Sequence, residues 1–320
     1  MVNAILALAL VRKFPGFVFL LPAVLSAAIA VGVPGGPARA ADSADPQGWI
    51  PLASDRGELT IEITVNGEPA EVLLDSGAQL NAVSTRYAER AGIEADVHRR
   101  VRVTGIFGER EVYRSQTFKM DVGGAVVPMT GMTMMPDMRH DMIFGQAFFE
   151  ALTVQIDYPG NRIRFLPSRL VEFEPNVDFR WGRKDQPLIK ASINGRKAWM
   201  LLDTGNSGFS ILTRDTVRRY DFDEFRIEEA RVSGRGINTA GDMNLVLLDS
   251  LELGPFQFTD FVAAYASQPN EGLDKRRARQ LSRIKRAATR HEGILGYEVM
   301  RNFVLTMDLG NRRVHLAIPE

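Results

Sequence analysis

Val72-Leu73-Leu74-Asp75-Ser76-Gly77 and Met200-Leu201-Leu202-Asp203-Thr204-Gly205 are two versions of one phrase, an apolar run ending in Asp-Ser/Thr-Gly, set 128 residues apart. One such triplet marks many ordinary turns. Two in matching surroundings mark a duplication, and the surroundings do match. Gly67 of Asn66-Gly67 and Gly195 of Asn194-Gly195 each stand eight residues before their aspartate, behind the runs Leu59-Thr60-Ile61-Glu62-Ile63-Thr64-Val65 and Leu188-Ile189-Lys190-Ala191-Ser192-Ile193. Downstream, Val103-Thr104-Gly105 recurs as Val232-Ser233-Gly234 at an offset of 129, and Met120-Asp121-Val122-Gly123 as Leu251-Glu252-Leu253-Gly254 at 131. Ile143-Phe144-Gly145 recurs as Ile294-Leu295-Gly296 at 151. Asp157 recurs as Asp308 at the same offset, each soon followed by Gly-Asn-Arg. The second copy has therefore gained about twenty residues between Gly254 and Gly296.

Period-two alternation and Asn-Gly turns make each copy mainly β. Short helices are expected at residues 84–91, 146–152 and 297–303. The expected organisation is a signal peptide at 1–40, a lead-in at 41–57, a first domain at 58–167, a linker at 168–186 holding Pro175, and a second domain at 187–320 with a basic helical insertion at about 268–292. Asp157 and Asp308, beside turns near the domain ends, read as structural.

The first forty residues stand apart. Arg12 and Lys13 precede an apolar run, which ends at Gly35-Gly36-Pro37 and the small-x-small site Ala38-Arg39-Ala40. These are the parts of a secretory signal, with cleavage expected near Ala40 and the product periplasmic or secreted. An uncleaved anchor is the alternative, because about twenty apolar residues span a bilayer. The 320 residues, 45% of them hydrophobic, suffice for one or two packed domains. The absence of cysteine excludes disulfides, thiolate metal sites and a cysteine nucleophile.

A buried strand that delivers Asp into a turn, twice, has chemical meaning. Gly77 and Gly205 let the backbone turn tightly without a Cβ clash. Ser76 and Thr204 supply hydroxyls able to cross-bond the two turns. Two adjacent carboxyls cannot both ionise easily, so Asp75 and Asp203 share a proton and titrate as a pair. Such a pair takes a proton from water while giving one to a peptide carbonyl. The sequence alone does not assign which aspartate starts protonated, and no metal or other cofactor is needed.

These residues resemble the retropepsin-like aspartic proteases, through Leu73-Leu74-Asp75-Ser76-Gly77-Ala78, Leu201-Leu202-Asp203-Thr204-Gly205-Asn206 and the two apolar-apolar-glycine strands. The resemblance implies an all-β fold of two acid-protease β-barrel domains, joined covalently as an internal pseudo-dimer, so that a monomer holds a complete dyad. It implies endopeptidase activity on an extended protein or peptide substrate, and flap hairpins over that substrate. Gly105, Ile106, Phe107 and Gly108 lie about thirty residues past Asp75, and Gly234 and Arg235 about as far past Asp203, where flaps belong. Asn81, Gly208 and Asn206 depart from the family pattern. The alternative function is a non-catalytic peptide-binding or scaffold module of the same fold.

Other chemistries find no support. His98, His140, His291 and His315 lack metal-ligand spacing, there is no Gly-x-Ser-x-Gly elbow, and Gly234-Arg235-Gly236 does not continue as a dinucleotide fingerprint. No nucleic-acid partner is expected. The stretch 275–290, opening at Lys275 and closing at Arg290, holds eight basic residues and no acidic one. Without Arg12, Lys13 and Arg39 the exported chain has 36 basic residues against 39 acidic; without those eight as well it has 28 against 39. This polarised charge reads as a solvated helix, as a contact with an anionic membrane surface or acidic partner, or as an exposed loop open to self-cleavage.

Overall fold

The computed structural model describes residues 48–53, 57–105, 108–122, 125–136, 138–235, 240–268 and 290–319. The expected signal peptide at 1–40 and most of the basic stretch 275–290 lie outside the described residues.

Each half opens on the expected hairpin. Strands Thr60–Val65 and Glu68–Leu74 pair antiparallel across Asn66-Gly67, and strands Pro187–Ile193 and Arg196–Leu201 across Asn194-Gly195. All four turn residues have positive φ, at 52° and 85° in the first turn and 46° and 73° in the second. That is the two-residue turn whose twist matches the flanking strands, and Asn-Gly is the pair that adopts it at least cost. Ile61, Ile63 and Val65 point into the core while Glu62 and Thr64 stay exposed, which fixes the register.

The strand that carries each aspartate is then flanked in parallel by the apolar-apolar-glycine strand. Met142–Phe144 lies along Val72 to Leu74, and Gly293–Ile294 along Met200 and Leu201. Parallel neighbours need a long crossover, and the chain between them supplies it as long antiparallel hairpins. Helices Gln146–Ala151 and Tyr297–Met300 follow these strands, and helix Thr85–Arg90 falls where the sequence predicts it. Ser84 caps the last by accepting from the Tyr87 amide. Its counterpart Arg214–Arg219, capped by Thr213, was not anticipated, because Arg-Asp-Thr-Val-Arg-Arg offers one apolar residue and so no helical period.

The fold is all-β with short helices: the described residues form a nine-stranded sheet in the first half, an eight-stranded sheet in the second, and a five-stranded sheet shared by both. In the shared sheet, Thr153–Asp157 pairs antiparallel with Val304–Asp308 in the register Val154↔Met307, Gln155↔Thr306, Ile156↔Leu305. The repeat offset of 151 makes Val154 the counterpart of Leu305 and Ile156 that of Met307. The pairing is thus self-complementary, with a pseudo-two-fold axis at Gln155 and Thr306, whose side chains hydrogen-bond at 3.0 Å. Val154, Ile156, Leu305 and Met307 are fully buried. At about 1.5–3 kcal/mol each, they weld the halves into one core.

The expected lead-in and linker are themselves symmetry counterparts. Trp49 stacks under the guanidiniums of Arg162 and Arg164 at 4.5 Å, while Ile50–Pro51 pairs with strand Arg162–Leu166. Phe173 likewise takes Arg313 at 4.5 Å and meets the ring of His315, while Asn176 bonds to Val314 and Leu316. Arg162 and Arg313, like Arg164 and His315, are 151 apart. Trp49-Ile50-Pro51 and Phe173-Glu174-Pro175 therefore each cover an outer edge of the shared sheet. The repeated unit is longer than the stretches 58–167 and 187–320 that hold the motifs. Asp157 and Asp308 each brace the turn beside them. Asp157 accepts from Gly160 N and Arg162 Nε at 2.8 Å, and Asp308 from Asn311 N and Arg313 Nε at 3.3 and 3.2 Å. The left-handed residues of the two turns are Asn161 and Arg312, so the Gly-Asn-Arg triplets align one residue out of structural register.

Candidate active site

Strands Glu68–Leu74 and Arg196–Leu201 bring Asp75 and Asp203 to the boundary between the halves, rooted by Leu74 and Leu202, both essentially inaccessible. There the turns grip each other. Ser76 Oγ donates to Leu202 O at 2.7 Å and accepts from Thr204 N at 3.1 Å; Thr204 Oγ1 donates to Leu74 O at 2.7 Å and accepts from Ser76 N at 3.0 Å. Each hydroxyl uses its one proton and a lone pair, satisfying two buried backbone groups of the opposite half. Each of these bonds contributes about 0.5–1.5 kcal/mol net, and more is lost if a partner is stranded.

Gly77 and Gly205 serve a different purpose from the one expected. Neither has positive φ. A Cβ on Gly77 would lie 2.6 Å from Asp203 Cγ, and one on Gly205 would lie 2.7 Å from Asp75 Cγ. Each glycine is thus the floor on which the other half's carboxyl rests, and its missing side chain permits the approach of the two acids rather than the turn alone.

The carboxyls of Asp75 and Asp203 hydrogen-bond one another. Asp75 Oδ1 also accepts from the Gly77 and Ala78 amides, both at 2.9 Å, whereas Asp203 Oδ1 accepts from its own turn only at Gly205, at 2.9 Å. Burial raises Asp75, partly countered by the bond to Asp203 and by the two amides. Burial raises Asp203 further, and the neighbouring Asp75 charge adds to it. Asp203 keeps more accessible surface than Asp75, but protein surrounds its carboxyl more closely, and that crowding withholds water from the charge. Both carboxyls are raised, and the pair titrates as a unit that shares one proton.

Gly145 and Gly296 extend the same close packing: a Cβ on Gly145 would lie 2.6 Å from Ala78 O, and one on Gly296 would strike Gly208 O. Their amides find partners that differ between halves. Gly145 N donates to Asn81 Oδ1 at 2.8 Å, and Gly296 N to Ser210 Oγ at 3.0 Å. The departure at Asn81 thus keeps the hydrogen bond. Asn206 braces its own loop by donating to Phe209 O and Leu295 O and accepting from Gly208 N.

Sequence reasoning missed a second set of residues, which crosses between the halves. Gln79 Nε2 donates to Lys184 O at 2.6 Å, and Gln146 Nε2 bonds Asp185 O, so the segment leading into the second half supports the first half's aspartate loop. In the reciprocal place Gly57 packs against Ser207 O and the Tyr297 ring. Gly57 and Asp185, 128 apart, share left-handed backbone at φ 80° and 55°. Tyr297 packs edge-on against the buried Tyr158, whose hydroxyl is pushed up by burial and by the nearby charges of Tyr297 and Asp203, so it stays protonated. No local motif announces these residues, since each touches a segment remote in sequence, 39 residues away for Gln146 and over a hundred for Gln79, Gly57 and Tyr297.

Of the flap candidates, Gly105, Gly108, Gly234 and Arg235 stand at the ends of antiparallel strand pairs. Ala95–Gly105 pairs with Gly108–Ser115, closing on Gly105↔Gly108, and Arg226–Arg235 pairs with Ala240–Leu253 through Gly234↔Gly241 and Arg235↔Ala240. Both hairpins carry an irregularity near the base, between Asp96 and Arg100 and between Arg226 and Arg231, the kind of bulge that re-aims a strand pair. Ile106 and Phe107 lie outside the described residues.

Comparison with known proteins matches the two halves separately. Residues 61–151 match a family described as gag-polyprotein putative aspartyl protease, and residues 189–299 one described as aspartyl protease. A relative from Phaeosphaeria nodorum, DNA damage-inducible protein 1, is 32% identical over 109 residues. That match covers 33% of this chain, and the chain spans about a quarter of the relative's length, 24%. Each family match encloses one aspartate of the cross-bonded pair, and the chain belongs to the retropepsin-like aspartic proteases, with two such domains in a single polypeptide.

Proposed function

We propose that this chain is an exported endopeptidase that cleaves extended segments of periplasmic or membrane-exposed proteins, acting as a monomer with both catalytic aspartates in one polypeptide. The observation that carries the reading is the hydrogen-bonded Asp75–Asp203 pair, clamped by Ser76 and Thr204. Asp75, as carboxylate, takes a proton from a water while the water oxygen bonds to the peptide carbonyl carbon. Asp203 gives its proton to the carbonyl oxygen. The tetrahedral diol then collapses: Asp75 returns a proton to the amide nitrogen, the C–N bond breaks, and Asp203 recovers a proton from the diol hydroxyl. Export rests on the segment that ends at Ala40, and retention of that segment as an anchor would place the same site at the membrane surface. The basic stretch 275–290 suits contact with an anionic surface or acidic partner.

The test is a comparison of new N-termini among exported proteins in cells with wild-type or Asp203→Asn enzyme. A set of termini that disappears with the variant supports the reading. An unchanged set overturns it.

A further inference from the structure

The strands that deliver the two aspartates each present a second face, away from the main core. Val72 and Leu74 point into that core, so Leu73 between them and Asp75 after them point the other way, and the Asp75 amide still donates to Phe144 O as the next rung of the ladder. In the second half Met200 and Leu202 belong to the main core, and alternation turns Leu201 and Asp203 to the opposite face. Strand register fixes the neighbours on this face. In the first half the row runs Leu73, Ile143, Ala82, Thr133 and Arg114. In the second it runs Leu201, Ile294, Ile211, Ala264 and Leu245. The members correspond one to one, at offsets of 128, 151, 129, 131 and 131.

The two rows agree nearest the aspartates and then part. Both halves keep a partly exposed isoleucine, Ile143 or Ile294, but beside it the first half has Ala82 and the second the partly exposed Ile211, a methyl group against a sec-butyl group. Behind Ile211 the face is closed by an apolar cluster of Met243, Leu245 and Ala264, against which Ile211 and Phe209 pack. A close-packed backing leaves Ile211 no room to withdraw. Ala82 is backed instead by Thr133 and Arg114, whose guanidinium is turned to Gly131 O at 2.8 Å.

An extended segment lying across the pseudo-two-fold axis presents residues equally far before and after the scissile bond to equivalent positions of opposite halves. We infer that Ala82 and Ile211 make the cleft unequal about that bond, the Ala82 side accepting a bulkier apolar side chain than the Ile211 side. This inference rests on the endopeptidase reading and adds a specificity to it: at one mirrored pair of substrate positions, cleaved sequences carry the larger residue on one side only. A hydrophobic wall discriminates by about tenfold or more for each methylene that does not fit.

The test is a digest of a random peptide library by the full exported chain, with residue size tallied at mirrored positions before and after each cut. Wild type should show a one-sided size limit. Ile211→Ala should relax that limit by about tenfold or more in relative cleavage, leaving the other side unchanged, and Ala82→Ile/Ile211→Ala should move the limit to the other side of the bond. The single variant only removes bulk from a partly exposed position, so it carries the test even where the double variant folds poorly. Equal size profiles on the two sides in wild type, or an unmoved limit in Ile211→Ala, overturn the inference. The same library is also passed over immobilised Asp203→Asn chain with and without Ile211→Ala, which reads the size limit from retained peptides. A limit seen in retention while wild type cuts nothing supports the inference and sinks the endopeptidase reading; cutting without a limit does the reverse.

Discussion

Ser76→Ala should cost far more than the loss of one hydroxyl from a protein surface. Ser76 is fully buried, and its oxygen serves two backbone groups of the other half, the Leu202 carbonyl and the Thr204 amide. Alanine satisfies neither, and no room for water opens between turns already packed against each other's carboxyls. A stranded buried group costs about 1–3 kcal/mol, so the pair costs about 2–6 kcal/mol. That is a large share of the total for a protein whose net stability is of the order of 5–15 kcal/mol. A mid-range loss of about 4 kcal/mol lowers Tm by roughly 8–16 °C at the sensitivity typical of larger domains. Urea unfolding followed by the fluorescence of Trp49, Trp181 and Trp199 reads both halves at once. The midpoint should fall while the slope stays the same, the sign of lost stability without a changed unfolded state. Thr204→Val, which strands Leu74 O and Ser76 N, should cost a similar amount by symmetry. A loss below about 0.5 kcal/mol in both variants, the level of an unremarkable surface change, would refute the idea that these hydroxyls lock the halves together.

Gly77→Ala and Gly205→Ala should each abolish turnover while leaving most of the fold, because the added carbon would lie 2.6–2.7 Å from the opposing carboxyl carbon and must push the acids apart; near-normal kcat in either would contradict the packing. Ile156→Ala, in the shared sheet, should destabilise by about 2–5 kcal/mol and lower both halves in one transition rather than releasing one of them; two separate unfolding steps would count against a common core. Both dyad carboxyls are raised in the fold, so their contribution is favourable below the ordinary aspartate value of 3.8 and is lost as pH rises through the folded values. Asp203→Asn removes one of these titrations, so its stability relative to wild type should improve as pH rises from the ordinary aspartate value of 3.8 through the folded values, and level off above them. A pH-independent difference would argue against a raised Asp203. Asp308 works in the opposite sense. Burial alone would raise it, but hydrogen bonds from Arg313 and Asn311 prevail and hold it low, so its contribution is present at neutral pH and disappears in acid.

The duplication was legible because its markers are chemically local. Asn-Gly turns, the Asp-Ser/Thr-Gly triplets and the Asp157 and Asp308 turns each need particular residues at particular positions whatever lies around them. The cross-bonding role of Ser76 and Thr204 was legible for the same reason. What escaped was whatever depends on who sits across the pseudo-two-fold axis. The need for glycine at 77 and 205 looked like turn geometry, but the clash comes from the other half's acid. Asn81 and Ser210 do one job with different side chains at non-equivalent positions, so neither stands out as a repeat. Trp49 and Phe173 answer to each other only once their arginine partners at 162 and 313 are seen to correspond. Gln146 and Tyr297 occupy matching positions with unrelated chemistry, one bonding a carbonyl and the other packing on a glycine.

The central claim is that Asp75 and Asp203 act together on one water. It is tested most directly by measuring cleavage of an unfolded protein substrate by purified Asp75→Asn and Asp203→Asn chains whose unfolding curves match the wild type in cooperativity. Loss of cleavage in both variants is the predicted result. Cleavage at the wild-type rate in either one would contradict the account.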